Sequence, residues 1–360
     1  MNSICSVDME SYQAIRERNI DIMDDGTIGI WKSSSDFNAV RECILFLDTF
    51  SQQTQPTALL NNRRKPNAFF RELKHCVDLI ATVDIAHQVF IYNPVVHLFI
   101  DFIALHQLDD ELKVLQSAPE RESLLLGHLR HLHEDLNSAD LRKAIKNFKR
   151  GPDKNYKELE KYVDALFTRY ARLLVIRVDL AFLEAERGNV PLKDVVHYRA
   201  QLLGDRRNSP FLKDAVGYAW SLEYAEKTGY HYHLVCFYDG SKHREDMTIG
   251  LGIGEQWKAV TQGKGRVYVC NTHKNMYRLC GIGAVDYHDE IKRENLRKAL
   301  AYLTKPQLFA KVGCLFKGRV RTFGRGELPR RALKPGRPRT KHHEGKQQKM
   351  RQERSGEGKV

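Results

Sequence analysis

His231 and His233 flank Tyr232 in YHYHLVCFY, Glu223 precedes them in SLEYAEKTG, and Tyr302 and Lys305 stand three residues apart in ALAYLTKP. On a strand, side chains alternate between faces, so a His-x-His pair presents both imidazoles to one side. Two imidazoles and a carboxylate can hold a divalent ion and leave coordination positions open for a phosphodiester oxygen. Mg²⁺ or Mn²⁺ is the expected cofactor, and the choice stays open because Mg²⁺ prefers more oxygen ligands than this set provides. A tyrosine with a pKa of about 10 is only about one-thousandth ionised at neutral pH, so it needs a nearby cation or metal to act as a nucleophile. One helical turn separates Tyr302 from Lys305, which puts both on one side of a helix. Pro306 then ends that helix. The chemistry these types suit is transfer of a phosphodiester to the Tyr302 hydroxyl, with Glu223, His231 and His233 as metal ligands and Lys305 assisting.

The elements that must carry these residues are a hairpin and a helix. With Lys227-Thr228-Gly229 as a three-residue loop and Gly229 in the left-handed position, Glu223 falls opposite His233 and Ala225 opposite His231. Glu223, His231 and His233 then share one face, while Trp220, Leu222, Tyr224, Tyr232, Leu234 and Cys236 form an apolar face on the other side. A two-residue loop would turn Glu223 away. Asp179, on a preceding strand, is the alternative third ligand, and Arg177 beside it is assigned to DNA binding. A rival triplet, His131-Leu132-His133, lies in a helical pattern, where residues i and i+2 point apart. Gly250-Leu251-Gly252-Ile253-Gly254 lacks the Lys-Ser/Thr of a phosphate loop and reads as a helix start or packing feature.

Residues 1–150 look mainly helical, with apolar spacing of three and four over 37–50, 67–83 and 122–136. Gly151-Pro152-Asp153-Lys154-Asn155 reads as a break. Beyond it come a helix over 156–170, a strand over 172–182, a helix over 192–203, strands over 217–226 and 230–238, a helix over 246–260, a strand over 266–271 and a helix over 289–303. The expectation is an α+β protein: an antiparallel sheet with flanking helices over 156–320, preceded by the mainly helical region and followed by a disordered tail over 321–360.

Of a net charge of +13, residues 317–360 carry 15 Lys/Arg against 4 Asp/Glu, so the basic character belongs to the tail. Such a tail suits a polyanion, through counterion release. Lys334-Pro335-Gly336-Arg337-Pro338-Arg339 could lay Arg337 and Arg339 in the narrow minor groove of A·T-rich DNA. The seven cysteines contain no CxxC pair, which suits a reducing cytoplasm. Cys270, His273 and Cys280 offer three zinc ligands without a convincing fourth. No export signal and no membrane span is expected.

RYARLLVIRVDL (169–180), YHYHLVCF (230–237), IGEQWKAVTQGKGRVYVCN (253–271), AYLTK (301–305) and RTFGRGELP (321–329) resemble the YagK/YfjJ C-terminal domain of the filamentous-phage (inovirus) gene-two-product family. That resemblance covers about half the chain. It implies an HUH endonuclease-like fold and a rolling-circle replication initiator that cuts single-stranded DNA at an origin and keeps a 5′-phosphotyrosine. His231, His233 and Tyr302 take the family's ligand and nucleophile positions. Host helicase and polymerase are the expected partners. The alternatives are a non-catalytic DNA-binding regulator on a degenerate fold, or a mobilisation relaxase or transposase.

Overall fold

The computed structural model describes residues 20–22, 28–30, 35–53, 66–83, 90–114, 122–225, 229–304, 310–312 and 321–329. Strands β1 (Ile20–Ile22) and β2 (Ile28–Ile30) form a small antiparallel pair. Helices α1 (Ser35–Ser51) and α2 (Pro66–Ala81), strand β3 (Phe90–Tyr92), and helices α3 (Pro94–His106), α4 (Leu108–Val114) and α5 (Glu122–Leu136) follow. Asn93 starts α3 by accepting a hydrogen bond from the Val95 N–H, with Pro94 at the first helical position, where a missing N–H costs nothing. Leu47, Leu73, Phe99, Leu129 and Leu132 belong to one buried core that these helices share. The His131 triplet is helical, as its spacing predicts, and His133 turns to the Gln53 carbonyl.

The expected break at 151–155 does not occur. Helix α6 runs unbroken from Ala139 to Arg169 with Pro152 buried inside it. Proline costs a helix one hydrogen bond and a steric clash. Here both halves of the helix are anchored: Leu141 and Ile145 enter the first core, and Leu159, Leu166 and Phe167 enter another.

Strand β4 (Arg172–Phe182), helix α7 (Leu192–Gly204), strands β5 (Ala215–Ala225) and β6 (Gly229–Asp239), helix α8 (Asp246–Val260), strands β7 (Gly265–Val269) and β8 (Gly283–Asp286), helix α9 (Glu290–Ala301), and strands β9 (Ala310–Val312) and β10 (Phe323–Arg325) complete the chain. The main antiparallel sheet has the order β10-β5-β6-β4-β7, with β8 also on β4. The even-numbered side chains of β4, β5 and β6, among them Ile176, Trp220, Tyr232 and Leu234, pack with Val195 of α7 and Trp257 of α8. Val175, Ala219, Val235 and Phe237 face the other way, against Leu166 of α6 and Leu300 of α9. The sheet is therefore covered on both faces, and the fold is α+β with flanking helices.

Two details differ from the sequence-based expectation. Ala225 pairs with Gly229 and Glu223 with His231, so the hairpin register is displaced by two residues. Gly229 has the expected positive φ of 65°, but it opens β6 instead of closing the turn. A two-residue displacement preserves the face of every side chain, so the apolar and polar partition stands. Second, Phe323–Arg325 is not tail: it pairs with Ala219–Ser221 of β5.

The glycines of GLGIG lie inside α8. A Cβ at Gly250 would come within 2.5 Å of Val269 Cγ1, and one at Gly254 within 2.5 Å of Val267 Cγ1. Gly250 and Gly254 let the helix lie close on β7, and Gly252 makes room for the Phe211 ring. No described helix is long and apolar enough to cross a membrane.

Candidate metal centre and tyrosine

One row of residues crosses the sheet on the α6/α9 side: Phe323, Ser221, His233, Asp179 and Tyr268, each the register partner of the next. In the adjoining row Glu223 faces His231. Toward the α6 and α9 helices the same face is apolar, so the polar groups gather at the end formed by the C-terminal part of β5 and the start of β6.

Glu223 Oε2 lies 3.5 Å from His231 Nε2 and 3.2 Å from His233 Nε2. The three donor atoms fall within 4.8 Å of one another. Two donors bound to one ion at about 2.1 Å each, roughly at right angles, stand about 3 Å apart, so the spacing suits a shared cation. The buried His233 Nε2 makes no well-directed hydrogen bond and stands 3.2 Å from Glu223 Oε2 as an ion-pair contact. A ring nitrogen converging with a carboxylate and a second imidazole fits a divalent ion. Ser221 Oγ, on the same face, is buried without a partner.

Asp179 is not gathered among the three donors. Its Oδ1 lies 2.7 Å from His233 Nδ1, which keeps Nδ1 protonated and leaves Nε2 to exchange its proton for a metal. That is the usual work of a carboxylate behind a metal-binding histidine. Arg177 Nη2 also lies 3.2 Å from Nδ1, but a guanidinium only donates, so the shorter carboxylate contact decides the tautomer.

Tyr302 is the residue that follows α9, 8% exposed. The chain tightens there into three-residue hydrogen bonds, Leu303 N–H to Leu300 O and Thr304 N–H to Ala301 O, a common helix ending. The Tyr302 ring stands edge-on to His233, with centroids 5.0 Å apart, and the Arg177 guanidinium lies 4.8 Å from its centroid. The HxH strand, the carboxylate and the tyrosine thus meet at one place.

Electrostatics bind these groups together. Burial favours a neutral Glu223, but His233 and His231 outweigh it and hold the carboxyl at about 2. Burial likewise opposes charge on His233, yet Asp179 and Glu223 push it up to about 9. Burial and the Glu223 carboxylate push the Tyr302 phenol well above its ordinary value, with Arg177 acting in the opposite sense.

Arg177, expected to bind DNA, is buried and paired with Asp179 through Nε–Oδ1 and Nη2–Oδ2 contacts of 3.2 and 3.3 Å. Lys305, Arg337 and Arg339 lie outside the described residues. The suggested zinc ligands do not assemble: His273 stacks on Tyr268, and the Cys280 thiol donates to Ile282 O. Among the described residues the cluster able to hold a metal is Glu223, His231 and His233. The alternating R-x-D of β4 was visible in the sequence. What it touches depends on β4 lying beside β6, a non-local pairing.

The family model of the YagK/YfjJ C-terminal domain matches residues 137–326, more than half of the chain. The chain belongs to this family. In this YagK/YfjJ domain the match begins beside Ser138, the N-cap of α6, and ends just past β10. It therefore takes in the whole six-stranded sheet and both Glu223 and Tyr302. Comparison with curated proteins and with solved structures gives no match.

Proposed function

We propose that this YagK/YfjJ-domain protein is a metal-dependent endonuclease and strand-transfer protein for single-stranded DNA, initiating rolling-circle replication of a filamentous phage or related mobile element. The observation that carries this reading is the convergence of Glu223, His231 and His233 with the Tyr302 ring packed against His233.

Glu223 Oε2, His231 Nε2 and His233 Nε2 would hold Mg²⁺ or Mn²⁺, which when bound supplies Lewis-acid polarisation of a phosphodiester oxygen. Asp179 fixes the His233 ring and its tautomer. The Tyr302 hydroxyl attacks the phosphorus and gives up its proton to solvent, from which the leaving oxygen is protonated. The Tyr302 O–P bond forms, the bond from phosphorus to the 3′-oxygen breaks, and that oxygen takes up a proton. The products are a 5′-phosphotyrosine and a free 3′-OH, with the number of phosphodiester bonds unchanged, so a later 3′-OH can reverse the step and rejoin the strand. Lys305 assists by orienting the phosphate. The basic residues of 317–360, Arg337 and Arg339 among them, add sequence-independent affinity for DNA. The sequence contains no phosphate loop of the helicase type, so unwinding and extension fall to host helicase and polymerase.

A labelled single-stranded oligonucleotide incubated with the protein and Mn²⁺ tests this. The half ending in 3′-OH should be extendable by a polymerase, and the other half should stay with the protein through denaturation. A freely released 5′-phosphate would instead indicate hydrolysis.

A further inference from the structure

We infer that Arg177 is the positioning residue of Tyr302, holding the ring against His233 while Asp179 holds the arginine. The inference rests on reading Tyr302 as the nucleophile.

Arg177 is fixed from its backbone outward. On the outer side of β4, β7 pairs with residues 178–182 and β8 with residues 172–175, which leaves a gap at Arg177. The buried Asn271 side chain fills it, accepting from the Arg177 N–H at 2.9 Å and donating to Val175 O at 3.0 Å. Asn271 is itself held by Asp246 at 3.0 Å, and Asp246 by Lys274 at 2.7 Å. The amide thus stands in for a missing ladder bond and locks the strand where the arginine leaves it.

The side chain is equally constrained. Its in-plane N–H groups meet both oxygens of Asp179, while the guanidinium carbon lies 4.8 Å from the Tyr302 ring centroid. A planar guanidinium can pair in its plane and stack with its face at once, whereas a lysine ammonium serves one partner as a point charge. Tyr302 is the C-cap of α9, with helical backbone angles, so the direction of its ring is set by what packs against it. Asp179 also orients His233. Asp179 therefore orients the metal ligand directly and the tyrosine through Arg177. Misplacing a reacting group by about 1 Å can cost about a hundredfold in rate.

The full-length protein and its Arg177→Lys variant are compared by three measurements: the NMR signals of ¹³C-labelled tyrosine rings, with Tyr302 assigned from Tyr302→Phe; Mn²⁺ affinity; and the single-turnover rate of adduct formation on a single-stranded oligonucleotide. The Lys variant should move the Tyr302 signal and slow the adduct about tenfold to a hundredfold, with Mn²⁺ affinity changed less than about threefold. Should the Lys variant unfold on thermal melting, Arg177→Gln takes its place with the same expectation. An unchanged Tyr302 signal would overturn the inference, and so would a rate loss matched by an equal loss of Mn²⁺ affinity. A wild-type protein that forms no adduct would sink the nuclease reading instead, while the ring signal would still decide the role of Arg177.

Discussion

Asp179 Oδ1 lies 2.7 Å from His233 Nδ1, and the two residues are direct cross-strand partners on β4 and β6. This pairing turns Nε2 of His233 toward Glu223, so the ability of the cluster to hold a metal depends on a residue outside it. Asp179→Asn should keep the fold and lower Mn²⁺ affinity by about 10- to 100-fold. Isothermal titration calorimetry of the two proteins measures this.

The same arrangement fixes a pH dependence. With its value raised to about 9, His233 holds protons on both nitrogens in the metal-free protein at neutral pH. A metal must displace the Nε2 proton. Mn²⁺ affinity should therefore fall about tenfold for each unit of pH below 9, with one proton released per ion bound. Because the folded value lies above the unfolded one, His233 stabilises the metal-free fold fully below about pH 6.5. That contribution is lost as pH rises through 9. Melting temperatures of the metal-free protein between pH 6.5 and 9.5 should decline, and added Mn²⁺ should reverse the trend.

Gly250 separates helix propensity from packing. Alanine is favoured over glycine inside a helix by about 1 kcal/mol, but a Cβ here meets Val269 Cγ1 at 2.5 Å and comes within 3.5 Å of Ile176. Overpacking of this kind costs about 1–3 kcal/mol. Gly250→Ala should lower stability to urea unfolding, and the same change at Gly151, where a Cβ would meet nothing within 4 Å, should not.

Deleting residues 330–360 removes 11 Lys/Arg and 3 Asp/Glu. For every phosphate the shortened chain no longer neutralises, the salt slope of single-strand binding should fall by about 0.7. Titrations over a range of NaCl concentrations should show a shallower slope, with the rate of adduct formation at saturating DNA little changed.

Much of the site was legible because strands have a period of two. His231 and His233 could be placed on one face from alternation, a three-residue loop added Glu223, and a register error of two residues left that face intact. Tyr302 could be placed near the end of a helix because Pro306 follows it. The rest depended on contacts distant in sequence. Nothing local says that β4 lies between β6 and β7, so Asp179 stayed an alternative third ligand and the contacts joining Arg177, Asp179 and His233 could not be foreseen. β8 and β10 are too short to show periodicity and exist through pairing with β4 and β5. Gly151-Pro152 is a local break signal that burial at both ends of α6 overrides.

The central claim is that Tyr302 takes a DNA phosphate at the Glu223–His231–His233 site. Wild type and Tyr302→Phe, each with an internally labelled single-stranded oligonucleotide and Mn²⁺, are compared on a denaturing gel, followed by peptide mapping of any adduct. Wild type should give a protein–DNA band that maps to Tyr302 and disappears with EDTA, and Tyr302→Phe should bind the oligonucleotide and give no such band. A Tyr302→Phe protein that still forms the adduct would contradict the account.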